Sequence, residues 1–250
     1  MAKFEAARAI VEARRPDVAP FDFGALTESD LLNLILQRSE CLYDVPRAGR
    51  PVRAWVNGDP QPLEALVAEM GTEIAERCAA LIFEEFEQIK PVLAEIGVKT
   101  MVDIGSGYGF FDLFAARHLG IDCTLVDLED NSQRHFGFSE EGAAYSSLQT
   151  SEQLFRDNGL QCRVVNPSAH DVMKLDGQFD AAVSFLSCGF HYPTDQYLPF
   201  FKQKITSGGV LILDLRSKRS GSEIEKLAPL GEVESVFDAD GAHRVLVRCA

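Results

Sequence analysis

The spacing of apolar residues divides the chain into two stretches. From residue 1 to about 95 the apolar positions recur every three or four residues, which predicts helices and no strands. The first helix is read over Phe4 to Arg14, stopping before Pro16. The second is announced by Thr27-Glu28-Ser29-Asp30, a capping pattern ahead of Leu31, Leu32, Leu34, Ile35 and Leu36. Between Cys41 and Pro62 the prolines and glycines predict a loop, which carries Tyr43, Arg47, Arg50, Arg53 and the single tryptophan, Trp55. The stripe Leu63, Leu66, Val67, Met70, Ile74, Cys78, Leu81, Phe86, Ile89 and Leu93 then predicts one long amphipathic helix to Ile96, bent or ended near Pro91. From Thr100 onward short apolar runs alternate with helical segments. Strands are read at 100–104, 122–127, 161–165, 179–186, 209–215, 231–238 and 242–249, with helices starting near Phe110, Ala144, Gln196 and Ser222. That alternation predicts an α/β fold: a mostly parallel sheet with crossover helices, closed by a C-terminal strand pair. In such a sheet ligands bind beyond the carboxyl ends of the strands, where the strand order reverses.

Composition narrows the function classes. With 250 residues the chain accommodates one α/β domain, read as 96–250, behind a helical lid or dimerisation region, read as 1–95. No run of about 18 apolar residues occurs, and Met1-Ala2-Lys3-Phe4-Glu5 lacks the layout of a signal peptide, so a cytoplasmic location is expected. The six cysteines show no C-x-x-C spacing and read as buried free thiols, which argues against zinc or a disulfide framework. A net charge of −14 disfavours nucleic acid and anionic membranes as partners, since both demand clustered cations. A small-molecule substrate is the remaining default, with a homodimer through the N-terminal helices as the expected assembly.

The chemistry begins where the first strand ends, at Asp103-Ile104-Gly105-Ser106-Gly107-Tyr108-Gly109. Glycines at alternate positions let the backbone turn sharply and approach a ligand closely. A dinucleotide fingerprint, G-x-G-x-x-G, places its third glycine one residue later and holds a pyrophosphate at the helix N-terminus. Here Asp103 directs a negative charge at the turn, which repels an anion and suits a cation. Asp127, 22 residues beyond Gly105 at the end of the second strand, is placed to accept hydrogen bonds from ribose hydroxyls. The alternatives are an N-cap for Asp103 and a turn acid for Asp127.

The pattern D-x-G-x-G-x-G resembles the first motif of class I S-adenosylmethionine-dependent methyltransferases, whose cofactor carries an ammonium and a sulfonium. The resemblance implies a Rossmann-like sheet of seven strands, mostly parallel with the last strand antiparallel, and S-adenosyl-L-methionine as cofactor. It implies cofactor contacts from Asp103, Gly105, Ser106, Gly107, Tyr108, Gly109, Asp127 and Leu128. Residues past the third strand would flank the adenine. There the chain offers Ser168 and Ala169 where an acid is usual, unless Asp171 supplies it.

The fourth strand opens into Ser187-Cys188-Gly189-Phe190-His191-Tyr192-Pro193, expected beside the transferable methyl group, with Ser187 a further cofactor contact. Methyl transfer needs alignment of the acceptor and, for a hydroxyl, removal of a proton. His191 is the expected base, a structural histidine being the alternative. This segment, with Gln196-Tyr197-Leu198, also resembles sugar O-methyltransferases of bacterial biosynthetic clusters. Arg134 and His135, in a long connection after the second strand, are expected at the substrate together with Tyr192 and Arg216. A Mg²⁺ site would need adjacent carboxylates. Asp195 and Asp214 are the candidates, and the tip of the fourth strand offers none, so no metal is expected.

The expectation is a methyltransferase acting on a hydroxyl of a small, sugar-like, anionic or nucleotide-linked metabolite. An N-methyltransferase, a nicotinamide oxidoreductase and a catalytically silent partner subunit are the alternatives.

Overall fold

The computed structural model describes residues 2–129, 146–239 and 241–250. All seven predicted strands form: β1 (Thr100–Ile104), β2 (Asp122–Val126), β3 (Cys162–Val165), β4 (Phe179–Ser184), β5 (Ile205–Arg216), β6 (Gly231–Ala239) and β7 (Ala242–Cys249). They join into one sheet of order β3-β2-β1-β4-β5-β7-β6. β7 runs antiparallel to both its neighbours, and the other pairs are parallel. This is the Rossmann-like arrangement that the resemblance implied. The order reverses between β1 and β4, so the crevice for a ligand lies beyond their carboxyl ends.

Five helices precede the sheet: α1 (Ala2–Val18), α2 (Glu28–Gln37), α3 (Gly49–Val56), α4 (Gln61–Met70) and α5 (Glu73–Ile96). Thr27 and Asp30 cap α2 reciprocally, as their spacing predicts. Three boundaries differ from the sequence reading. Pro16 lies within the last turn of α1 and does not end it. The segment read as a loop folds as a 3₁₀ turn, Ser39–Leu42, followed by α3. Pro51 sits in the first turn of α3, where a missing N–H costs nothing. The predicted long helix is two helices, because Gly71 adopts φ 55° and ψ −135°, outside the helical region. Pro91 stays inside α5.

Crossover helices α6 (Phe110–Leu119), α7 (Leu148–Asp157), α8 (Leu198–Lys204) and α9 (Ser220–Leu227) cover the sheet. Alternate residues of each strand face opposite layers. Val102, Ile104, Val126, Leu211 and Leu213 pack with Phe200, Phe201 and Leu227 of α8 and α9. Met101, Leu125, Val183 and Ile212 join a larger core with α6 and the N-terminal helices. Phe83 and Phe86 of α5 meet Phe114 and Phe111 of α6 edge-on, at 5.0 and 5.7 Å between ring centres. The helices of residues 2–96 thus share one core with a face of the sheet. All six cysteines are free thiols, four of them buried. No helix among the described residues is long and apolar enough to cross a membrane.

Candidate functional site

β1 ends in the glycine turn, and the turn closes on itself. The amides of Gly105 and Ser106 donate to the Val126 carbonyl at 2.7 and 3.3 Å, and that of Gly109 donates to Ser106 at 2.9 Å. The Gly107 amide donates to Asp127 Oδ2 at 2.8 Å. Gly105, Gly107 and Gly109 all have φ between 57° and 79°, the left-handed region that favours glycine. At Gly105 the lack of a side chain is essential, since a Cβ would stand 2.0 Å from Ser187 Oγ. Four turn amides are therefore satisfied by protein oxygens, and a pyrophosphate would have to compete with a carboxylate for one of them.

Asp127 is the knot of this turn. Its Oδ1 accepts from Ser146 Oγ at 2.7 Å and from the Glu129 amide at 3.2 Å. Burial pushes its carboxyl up, and the hydrogen bonds from Ser146 and Gly107 offset part of that rise. Beyond it Leu128 is 51% exposed, a bare apolar surface at the strand end. Glu129, with φ 56°, turns back to accept from the Leu148 amide at 2.7 Å and from Asn166 Nδ2 at 3.1 Å. Asn166 in turn accepts from the amide and hydroxyl of Ser168, at 2.9 and 2.6 Å. Ser168 and Ala169 are exposed beside this link, at the edge where the expected adenine would lie.

Asp103 faces α6, on the same side of β1 as Met101, and meets a second acid there. Asp112, in the first turn of α6, is fully buried. Oδ1 of Asp103 and both carboxylate oxygens of Asp112 are buried without a hydrogen-bond partner. Burial, then the neighbouring charge of Asp112, pushes the Asp103 carboxyl well above the usual range. Burial pushes Asp112 up to about 7. Among the described residues none of Asp103, Asp112, Asp127 and Glu129 forms an ion pair. The carboxyl end of β1 thus buries two neighbouring carboxyl groups against α6 with no cation beside them.

Tyr108 sits in the turn, as expected, with its side chain directed to α2. Its ring is buried and its hydroxyl donates to Asp30 Oδ1 at 2.8 Å, while Asn33 Nδ2 donates to it at 2.8 Å. The side chain therefore fastens the turn to α2, and only its backbone is left to face a ligand in the turn.

After β4 the chain folds back on itself. Leu186 adopts φ 52°, a costly conformation for a branched residue and one that gathers at functional sites. Ser184 Oγ donates to the Ile104 carbonyl at 2.6 Å and accepts from the Cys188 amide at 2.8 Å, which binds this end to β1. Ser187 Oγ lies 3.2 Å from the Tyr192 hydroxyl, and burial raises the Tyr192 phenol far above its ordinary value. Phe190 is the buried floor of the turn. The His191 ring meets it edge-on at 5.2 Å, and the Arg216 guanidinium lies 5.4 Å from its centre. His191, Tyr192 and Arg216 are all half-buried. The structure thus gathers Gly105, Ser187 and Tyr192 at one point and His191 with Arg216 around Phe190. Arg134 and His135 lie outside the described residues.

The two acids considered for a metal are both engaged by cations. Asp214 accepts from Arg244 Nε and from its terminal nitrogen at 2.7 and 2.8 Å. Asp195 pairs with Lys226. No cluster of three or more metal-binding side chains occurs among the described residues.

Glu129, Asp112, Ser146 and Asn166 escaped the sequence reading as site residues. Only Glu129 carried a local signal, standing two residues beyond Asp127 at a strand end.

No protein-family model matches the chain, nor does the sequence of any curated protein. Solved structures resemble it in fold. A methyltransferase from Pyrococcus furiosus is 17% identical, with 67% of this chain and 82% of that one covered at a TM-score of 0.51. A cofactor-bound protein from MTB is 13% identical over 66% of this chain and 79% of its own, at 0.50. A candidate O-methyltransferase from Nostoc punctiforme PCC 73102 is 11% identical, with 71% and 59% covered, at 0.50. At these identities the likeness is one of fold.

Proposed function

We propose that this chain, which has the fold of class I S-adenosylmethionine-dependent methyltransferases, binds S-adenosyl-L-methionine at the carboxyl ends of β1 and β2 and methylates a small molecule. The observation that carries the reading is the buried pair of acids, Asp103 and Asp112, directly behind the glycine turn. The pair has no cation beside it, and a ligand bearing an ammonium and a sulfonium at the strand end would offset its charge through space. The ribose hydroxyls would reach Asp127, and the exposed face of Leu128 would take the adenine beside Ser168 and Ala169. A dinucleotide fits less well, because the turn amides that would hold its pyrophosphate are already bonded to Val126, Asp127 and Ser106.

When bound, the cofactor supplies an electrophilic methyl group. The chain's own part is to exclude water, align the acceptor and take its proton. Ser187 and Tyr192 close the floor beside Gly105. In this reading His191 takes the acceptor hydroxyl's proton, and Arg216, against the same phenylalanine, holds a phosphate or carboxylate of that acceptor. This arrangement favours a sugar-like or other anionic hydroxyl compound, consistent with a protein too acidic to attract nucleic acid.

A ligand that binds only the native state raises its melting temperature by mass action. S-adenosylhomocysteine is expected to raise it and NAD is not; the reverse result would overturn the assignment. In the active enzyme His191→Ala should lower turnover by about 10²- to 10⁴-fold. Unchanged turnover from pH 6 to 9 would remove the base role and leave the cofactor assignment standing.

A further inference from the structure

One cavity lies apart from this chemistry. It has a volume of about 670 Å³ and opens between the start of α1, the 3₁₀ turn and α3, and no residue of the strand ends lines it. Such a volume is ordinary for a small-molecule site. Its walls include Phe4, Tyr43 and the arginines Arg8, Arg47, Arg50 and Arg53.

The charges here run against the rest of the chain. Acids outnumber bases by 38 to 24, so an arginine has carboxylates in excess to pair with. Arg8 has done so, bonding Glu12 at 2.7 Å, and Glu5 also borders the cavity. Arg47 and Arg50 make no side-chain bond among the described residues, and Arg53 spends only Nε, on the Gly49 carbonyl at 3.0 Å. Three guanidinium groups within seven residues thus converge on one cavity with nearly all their donors unspent. Arg47 also holds φ 59°, a conformation that costs free energy in a non-glycine residue. Beside them the Tyr43 ring is fixed by the Arg77 guanidinium, 4.5 Å from its centre.

We infer that this cavity is a second small-molecule site, which binds a phosphorylated ligand of nucleotide size. Three guanidinium groups facing a single acid match a dianion or trianion better than one carboxylate, and their paired N–H groups match phosphate oxygens. The volume exceeds what inorganic phosphate needs, and Tyr43 with Phe4 offers aromatic surface for a flat ring. The site is independent of the cofactor reading, since none of its residues belongs to the glycine turn.

The test is titration of the full chain with uridine diphosphate, followed by calorimetry and by the emission of Trp55, which lies in α3 two residues past Arg53. One-to-one binding that weakens as salt is raised is expected, with S-adenosylhomocysteine still bound. Arg47→Gln combined with Arg50→Gln should weaken it at least tenfold while leaving the circular dichroism spectrum intact, because both side chains are exposed. Arg50→Lys should lose less. Absence of saturable binding, equal affinity in the double variant, or displacement of the nucleotide by S-adenosylhomocysteine would each overturn the site. Inorganic phosphate binding as tightly as uridine diphosphate would overturn the nucleotide-sized occupant.

Discussion

Two acids near the carboxyl ends of β1 and β5 face the same layer of helices and are buried in opposite company. Asp214 lies opposite Arg244 in the β5–β7 register and is held by two hydrogen bonds from its guanidinium. Arg244 also reaches Glu85 at 3.4 Å, and Glu85 pairs with Arg38 at 2.6 Å. Charges alternate along this chain of four. Burial pushes Glu85 up, but Arg38 and Arg244 more than offset it and hold its carboxyl below the ordinary range. Asp103 has another acid, Asp112, where Asp214 has an arginine. One site has settled its own charge balance and is architecture. The other holds two acids and no cation, and in the function proposed above a cationic ligand at the strand end offsets their charge.

The difference can be broken from the architectural side first, where the largest effect is expected. Arg244→Leu leaves Asp214 without its cation, while Glu85 keeps Arg38, and urea unfolding should show a loss of about 3–5 kcal/mol. The double variant Arg244→Leu with Asp214→Leu should recover most of it, since no uncompensated charge is left behind. A double variant as unstable as the single one would mean that packing, and not charge, sets the loss.

The acidic side gives the opposite sign. A carboxyl whose folded pKa is raised binds more protons in the native state than in the unfolded one. Its penalty is therefore absent below the unfolded value near 4 and grows as pH rises to about 7 for Asp112. Asp112→Asn should stabilise the free protein at pH 8, by about 2–4 kcal/mol, and leave it little changed near pH 4. Equal effects at both pH values would dissociate the stability from this titration. A smaller effect is expected at the link to α2. Tyr108→Phe removes the hydroxyl shared by Asp30 and Asn33 and should cost about 1–2 kcal/mol in the same assay. No cost would show that the helix is held by its apolar face alone.

The centre of the sheet was legible in the sequence because β1, β2, β4 and β5 are short apolar runs with both faces buried, whereas the edge strands β3 and β6 are partly or mostly exposed. The helical stretch was less so, for a physical reason at each error. The stripe from Leu63 to Ile74 keeps its period across Gly71, so burial gives no sign of the break that the glycine's backbone makes. Pro51 reads as a loop residue until it is placed in the first turn of α3, where proline is tolerated. At the site, the glycines, Asp103 and Asp127 were visible as a local pattern. Asp112 was not, because its meaning depends on which face of α6 meets β1. The Asp214–Arg244 pair spans 30 residues and depends on the β5–β7 register, which no local spacing reveals. Tyr108 shows the converse: its position in the motif suggested a ligand contact, and its hydroxyl is spent on α2.

The most direct test is calorimetric titration of S-adenosylhomocysteine into the intact protein and its Asp103→Asn variant at pH 8. The buried acid pair predicts tight binding to the former, strengthening from pH 5.5 to 8 with release of a proton, and about 10- to 100-fold weaker binding to the variant. Equal affinity of the two proteins at pH 8 would contradict it.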